Sequence, residues 1–303
     1  MGCQAKRIKC VDVSATGNLM AVAHRDDCSV HIYSTTSGAE VVSLRGHGDS
    51  LLAVKFSPNP KFIATASRDS LLVIWDRTVG LEYQFVEHPG IVTAISFSFD
   101  GKHIYSGCQD DTLRKITSPK ANLVVENDDF EAPEDAELSI IVSIATQHTR
   151  DRYVLFSRSC NKCAYLADAE TLNVAATLKG HNSLVLNTGF NADDTCFFTA
   201  CDSKIILWNY SLAQLFCFDS RTVSPDPSIK MCWTTVAFGP MMKESLLYAF
   251  ASSGQLLVYD IRTFKPIMDL YFRSDIRTVS QSSYQGKSVC GDDLGNVYVI
   301  KTM

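Results

Sequence analysis

The sequence predicts an all-β fold built from one unit repeated seven times. Short apolar runs bounded by Gly, Asp, Asn and Ser recur along the whole chain, and no window shows a helical period. One strand type also returns at a fixed interval: "SVHIYS" (29–34), "LLVIWD" (71–76), "TLRKIT" (112–117), "CAYLAD" (163–168), "KIILWN" (204–209), "QLLVYD" (255–260) and "NVYVIK" (296–301). Aligning one residue of each gives Tyr33, Trp75, Ile116, Leu166, Trp208, Tyr259 and Ile300, at spacings of 42, 41, 50, 42, 51 and 41.

Each unit carries an earlier strand as well, such as "AVKFSP" (53–58), "AISFSF" (94–99), "NTGFNA" (187–192) or "TVAFGP" (235–240), then a small-residue strand such as "IATAS" (63–67). A period near forty with four short strands and a large residue on the third is the pattern of a propeller blade. The predicted fold is therefore a seven-bladed β-propeller filling residues 1–303 as one domain. Its blades fall near 7–46, 47–88, 89–130, 134–181, 182–221, 228–273, and 274–303 plus 2–6.

At "GHGDSLLAVKFSPNPKFIATASRDSLLVIWD" (46–76) and "GHNSLVLNTGFNADDTCFFTACDSKIILWN" (180–209) the chain resembles the WD-repeat family, and the resemblance weakens in repeats four, six and seven. It implies a hydrogen-bonded chain in each complete blade, from Trp through a Ser or Thr to His and on to Asp. His47 precedes Trp75 by 28 residues, His88 precedes Ile116 by 28, and His181 precedes Trp208 by 27. Two complete sets can be assembled: His47, Thr65 or Ser67, Asp69 and Trp75; and His181, Thr199, Asp202 and Trp208. Asp27, His88 and Asp110 are partial sets. Repeats four, six and seven have Cys160, Ser253 and Leu294 at the aspartate position, which leaves apolar packing to hold those blades.

The same residue types allow a competing reading, with Ser67 as nucleophile, His47 as base and Asp69 as orienter. That reading needs an exposed serine hydroxyl and gives no reason for the recurrence at His181 and Asp202. No catalytic, cofactor or metal site is expected. Cys160 and Cys163 form a lone Cys-x-x-Cys without a second ligand pair, and read as a hairpin with a two-residue turn.

Composition narrows the partners. Twenty-eight basic against 33 acidic residues give a net charge of −5 with no dense basic block, which disfavours nucleic acid. Apolar runs are too short to span a membrane, and Lys6 in "MGCQAK" stands where an acylation signal at Gly2 wants Ser or Thr. Eleven scattered cysteines suggest reduced thiols, hence cytosol or nucleus.

Two insertions lengthen the spacing. The first, 126–137, holds Glu126, Asp128, Asp129, Glu131, Glu134, Asp135 and Glu137 without a basic residue, and reads first as a solvated mobile loop and second as an acidic lip suited to a basic partner segment. The second, 219–230, contains Ser224-Pro225 and Pro227 and reads as a loop.

The expected function is a noncatalytic scaffold or adaptor that binds proteins or peptides on its loop face; the alternatives are a cytoskeletal or axonemal component and, third, a propeller hydrolase. By resemblance, side chains reaching that face are Asp26, Arg68, Gln109 and Cys201 before the turn aspartates, and Arg7, Ser50, Ile91 and Leu184 where first strands begin. Repeat seven supplies only three strands (276–282, 287–292 and 296–301), and Gly2 to Lys6 alone precede the first strand of blade one. The closing strand is expected to be short or absent, leaving an edge open to strand addition.

Overall fold

In a computed structural model, residues 7–128, 139–223, 231–239, 246–252, 254–281 and 286–301 are described. They form seven antiparallel sheets in chain order. Blade one holds β1 (Ile8–Val13), β2 (Leu19–His24), β3 (Ser29–Ser34) and β4 (Glu40–Arg45); blade two holds β5 (Leu51–Phe56), β6 (Phe62–Ser67), β7 (Leu71–Asp76) and β8 (Leu81–Glu87). Blade three holds β9 (Val92–Phe97), β10 (His103–Cys108), β11 (Leu113–Thr117) and β12 (Leu123–Asn127); blade four holds β13 (Ile141–Thr146), β14 (Tyr153–Arg158), β15 (Ala164–Asp168) and β16 (Val174–Leu178). Blade five holds β17 (Asn187–Phe190), β18 (Cys196–Ala200), β19 (Lys204–Asn209) and β20 (Gln214–Asp219), followed by the one-turn helix α1 (Ser220–Val223). Blade six holds β21 (Trp233–Phe238), β22 (Leu246–Ala251), β23 (Gln255–Asp260) and β24 (Lys265–Tyr271). Blade seven has three strands among the described residues, β25 (Ile276–Gln281), β26 (Lys287–Asp292) and β27 (Val297–Lys301).

Four of the first strands (β5, β9, β21 and β17) differ from the sequence reading. β5, β9 and β21 begin two residues earlier than expected, and β17 is only four residues long. The register slips between Leu51 and Ala53, and likewise at the start of β1, β9, β13, β21 and β25. Such a bulge resets the alternation, so Leu51 points inward out of phase with Val54 and Phe56 and the period of two fails locally. The Cys160–Cys163 segment also departs from expectation, because the connection between β14 and β15 spans residues 159–163 instead of two.

Each sheet has two apolar faces, and only a neighbouring sheet covers them. Seven hydrophobic clusters result, one per interface between adjacent blades. The seventh joins Val289 of blade seven to Ile8, Val11 and Val13 of blade one, so the ring is closed. In six blades a small residue stands near the end of the second strand, Ala23, Ala66, Gly107, Ser157, Ala200 and Gly291, whereas blade six carries the buried Phe250 there. A β-carbon on Gly291 would lie 2.4 Å from Ile8, and one on Gly107 would lie 2.4 Å from Ile141.

Polar side chains stitch the inner strands together around the channel. Ser96 bonds Thr146 at 2.9 Å, Ser143 bonds Thr188 at 2.9 Å, and Thr235 donates to Asn187 at 3.0 Å. At the closing interface the buried Asp12 carboxylate accepts from the Phe56 amide (2.6 Å), the Lys55 ammonium (3.2 Å) and the Ser280 hydroxyl (2.6 Å). One side chain thus ties blades seven, one and two. Truncating it orphans a buried amide and a hydroxyl, and such groups cost about 1–3 kcal/mol each when unpaired. Asp12→Ala is expected to lower the unfolding free energy by about 3 kcal/mol in urea melts, against about 0.5 kcal/mol for an exposed change such as Asp26→Ala.

Candidate functional site

The loop face gathers the connections from outer to inner strands and the turns between second and third strands. A repeated backbone bond fixes it: the Arg25, Arg68 and Gln109 amides donate to the carbonyls of Arg7, Ser50 and Ile91 at 2.8, 3.0 and 2.9 Å. Blades four, six and seven repeat the bond at Ser159–Ile140, Ser252–Cys232 and Asp293–Asp275. Residues expected at the face thus become neighbours in pairs. Arg7, Asp26 and Arg68 are exposed there, and Ser50, Ile91, Gln109 and Leu184 are partly so.

Cys201 is the exception, being buried. Its thiol turns inward, where the Lys204 amide donates to it at 3.3 Å and the Ser203 hydroxyl lies 3.5 Å away. Burial alone would raise this thiol, but the side chains of His181, Ser183 and Ser203 favour the thiolate more strongly and bring it down to about 5.

Beneath the face lie the histidines. In blade two the Trp75 indole N–H donates to Thr65 Oγ1 at 2.7 Å, Thr65 lies 2.7 Å from His47 Nε2, and His47 Nδ1 lies 2.8 Å from Asp69. The donors run one way when Nδ1 carries the proton: indole to hydroxyl, hydroxyl to Nε2, and Nδ1–H to carboxylate. Asp69 also accepts from the Gly48 and Leu71 amides at 2.8 and 3.0 Å. Burial pushes its carboxyl up, and these donors outweigh burial and hold it below the usual carboxylate value. Thr65 and not Ser67 is therefore the link. Ser67 donates to the Asp49 and Ser50 carbonyls at 3.0 and 3.2 Å and is fully buried, which denies it a nucleophile's access to a pocket.

Blade five makes only half of this chain. Trp208 donates to Thr199 at 2.8 Å and Thr199 lies 2.7 Å from His181 Nε2, but Asp202 takes the Ser183 hydroxyl instead of His181. His181 Nδ1 meets no nitrogen or oxygen partner among the described residues. The cause is visible in the spacing. His to Thr is 18 residues in both repeats, whereas Thr65 to Trp75 is ten and Thr199 to Trp208 is nine. The missing residue pulls the turn, and Cys201 comes to lie against His181 in place of the aspartate.

Blade three keeps a histidine without an indole. His88 Nε2 lies 2.9 Å from the Ser106 hydroxyl, while Asp110 pairs with Arg114 at 2.6 Å and not with His88. In blade one Asp27 accepts from the Ser29 amide at 3.1 Å and lies 3.7 Å from His31.

Blades four and seven, expected to be held mainly by apolar packing, also carry buried polar contacts. Arg158, fully buried at the end of β14, donates from Nε to both oxygens of Asp111 in blade three at 2.9 Å and stacks over Tyr165. In blade seven the buried Asp292 accepts from the Leu294 and Asn296 amides (2.9 and 2.7 Å) and the Tyr298 hydroxyl (3.0 Å). Neither residue occupies the repeat position that the spacing argument inspects. In blade six the Trp233 indole N–H and Tyr259 hydroxyl have no partner among the described residues. Ser253 there lies outside the described residues, as do Gly2, Cys3, Lys6, residues 129–138 of the acidic segment and Ser224. Glu126 pairs with Arg114 at 3.2 Å.

The model for the "WD domain, G-beta repeat" family matches residues 38–76, 80–115 and 172–209, each running from the outer strand of one blade into the third strand of the next. The chain thus carries WD repeats on a seven-bladed β-propeller. Its relatives include a 66 kDa stress protein of Physarum polycephalum (30% identical over 39% of this chain and 20% of the relative). Nuclear distribution protein nudF of Emericella nidulans is 28% identical over 57% of this chain and 42% of its own length. Transcription initiation factor TFIID subunit 5 of Caenorhabditis elegans is 35% identical over 31% and 15%. The match thus spans less than half of each of these relatives.

Two predictions follow from the propeller's buried polar groups. Asp69→Ala orphans His47 and two amides and is expected to cost about 1–3 kcal/mol, whereas Asp202→Ala, which leaves His181 as it was, costs about 1 kcal/mol or less in the same urea melts. Burial, with Arg114 beside it, lowers the His88 imidazole from 6.5 to about 4. The unfolded chain therefore binds a proton that the folded chain refuses as pH falls from about 6.5 to about 4, so stability is lost across that window. Urea melts at pH 7 and 5 should differ less for His88→Gln than for the parent chain.

Proposed function

We propose that this propeller is a noncatalytic scaffold whose loop face docks peptides or other proteins within a larger complex. The observation that carries the reading is the division between buried and exposed groups. Both ring nitrogens of His47 are committed to Asp69 and Thr65 beneath the surface, so the residues that resemble a proton relay are structural. The exposed residues above them, Arg7, Asp26 and Arg68, are held on backbone bonded from blade to turn and present side chains to solvent. A rigid rim with arginines among partly apolar positions such as Ile91 and Leu184 suits protein recognition, where arginine is favoured at energetic centres.

The relative named as a subunit of a transcription initiation factor supports membership of an assembly, as the WD-repeat fold does generally. The acidic run at 126–137 lies in sequence between the outer strand of blade three and the inner strand of blade four, and it would favour a basic segment on the partner. Ten described cysteines are unpaired, in keeping with the reducing cytosol or nucleus.

The adjacent pair Ser50 and Arg68 gives the test. The double variant Ser50→Glu, Arg68→Glu should melt within about 1 kcal/mol of the parent and lose about tenfold or more of the proteins that copurify with it, read by affinity purification and quantitative mass spectrometry. Unchanged partners at unchanged yield would remove the loop face as the binding surface.

A further inference from the structure

We propose that the end of the central channel opposite the loop face binds a small organic monocarboxylate, its head held by Lys55, His148 and Gln281 and its apolar body by the inner strands. These strands start at the loop face and finish at the other end, where a cavity of about 240 Å³ lies among their last residues. Lys55 is next to last in β5, Gln281 ends β25, and His148 follows β13 by two residues. Blades two, four and seven thus bring nitrogen donors to one space. At the place of Lys55 the other blades carry Asp12, Ser96, Ala145, Gly189, Ala237 and Ser280, so blade construction does not call for a long cationic side chain there.

The donors have capacity to spare. Lys55 gives one proton to Asp12 at 3.2 Å, its side chain stays partly exposed, and an ammonium has three donors. His148 lines the same cavity. Burial there, with the Lys55 ammonium adding to it, holds the imidazole below the ordinary histidine value, against the pull of Asp194 and the Phe190 carbonyl. An anion between the two would relieve that repulsion. Gln281 Nε2 is buried without a hydrogen-bond partner among the described residues, so a half-turn of its carboxamide presents the nitrogen in place of the oxygen without breaking a bond to that nitrogen. The nearby carboxylates are engaged elsewhere. Asp12 also accepts from Phe56 and Ser280, and Asp194 accepts from the His148 and Thr149 amides at 2.9 and 2.7 Å and the Thr149 hydroxyl at 2.6 Å.

The walls and the charge select the ligand. Beside the donors the cavity is lined by Ile144, Phe190, Val236 and Phe238, which offer an apolar body nothing but packing. A single ammonium already shared with Asp12 matches one negative charge better than the two of a phosphate. An apolar cavity of about 150 Å³ takes benzene, so this larger space has room for a ring with a carboxylate attached. The site lies at the far end of the channel from the loop face, and it stands or falls apart from the docking role proposed for that face.

The test titrates the full chain with sodium benzoate at constant ionic strength, with benzyl alcohol and inorganic phosphate as comparisons. Binding is read from the NMR signal of the His148 ring, assigned through its loss in His148→Gln. Benzoate should bind with a Kd below about 1 mM and raise the pH midpoint of the His148 ring, because a neighbouring anion favours the protonated form. Benzyl alcohol and phosphate should each bind at least about tenfold more weakly. Lys55→Met should weaken benzoate about tenfold or more. Because Lys55 also touches Asp12, Gln281→Leu is the second variant, expected to keep the parent's melting curve and weaken benzoate about threefold to tenfold.

Any of four results would overturn the proposal. The first is no binding of benzoate up to about 10 mM. The second is benzyl alcohol binding as well as benzoate, which makes the cavity merely apolar, and the third is phosphate binding as well or better. The fourth is benzoate binding that leaves the His148 midpoint in place or keeps its affinity in every variant that folds, which puts the ligand elsewhere.

Discussion

Everything in this molecule depends on the fact that a four-stranded sheet with two apolar faces has no stable free side. Each blade is covered only by its neighbours, so the series must return to its beginning. The return is made where Val289 meets Val11 and Val13, where Gly291 admits Ile8, and where Asp12 of blade one accepts from groups of blades two and seven. This closing contact runs through inner and second strands, and so it does not require a complete seventh blade.

The polar residues follow from the same constraint. Burying a large third-strand side chain between blades is favourable, but an indole N–H must then find an acceptor in the interior. Thr65 and Thr199 provide one, and a histidine in turn orients each threonine. Where the large residue is aliphatic, as at Ile116, the histidine persists with Ser106 and the carboxylate is released to an arginine. Where histidine is absent, a different ion pair, Arg158 with Asp111, spans the interface. A buried pair of this kind offers orientation more than net stability, because desolvation consumes much of its attraction. The histidine, threonine and aspartate of blade two are thus engaged in holding the blade together.

Much of this was legible in the sequence. The seven third strands lie within one residue of their expected bounds, because an alternating strand between turns is a local signal. The hydrogen-bonded chain was legible in outline, but the sequence left Thr65 and Ser67 both open as the link, and only the folded blade selects Thr65. Three features were not legible. The bulges at Leu51 and its counterparts break the period of two in the place where it would be read. The turn shortened by one residue at Cys201 leaves the motif letters intact while removing the contact between His181 and Asp202. Arg158 and Asp292 act from positions that vary between repeats, and only the folded chain brings Arg158 to a partner 47 residues away.

The most direct test of closure is whether the ring unfolds as one unit. Denaturant unfolding can be followed by tryptophan fluorescence, which reports blades two, five and six through Trp75, Trp208 and Trp233, and by amide exchange in β25 and β26. A ring closed through its inner strands predicts coincident transitions at both. Loss of protection in β25 and β26 at lower denaturant, with the tryptophan signal still native, would contradict it.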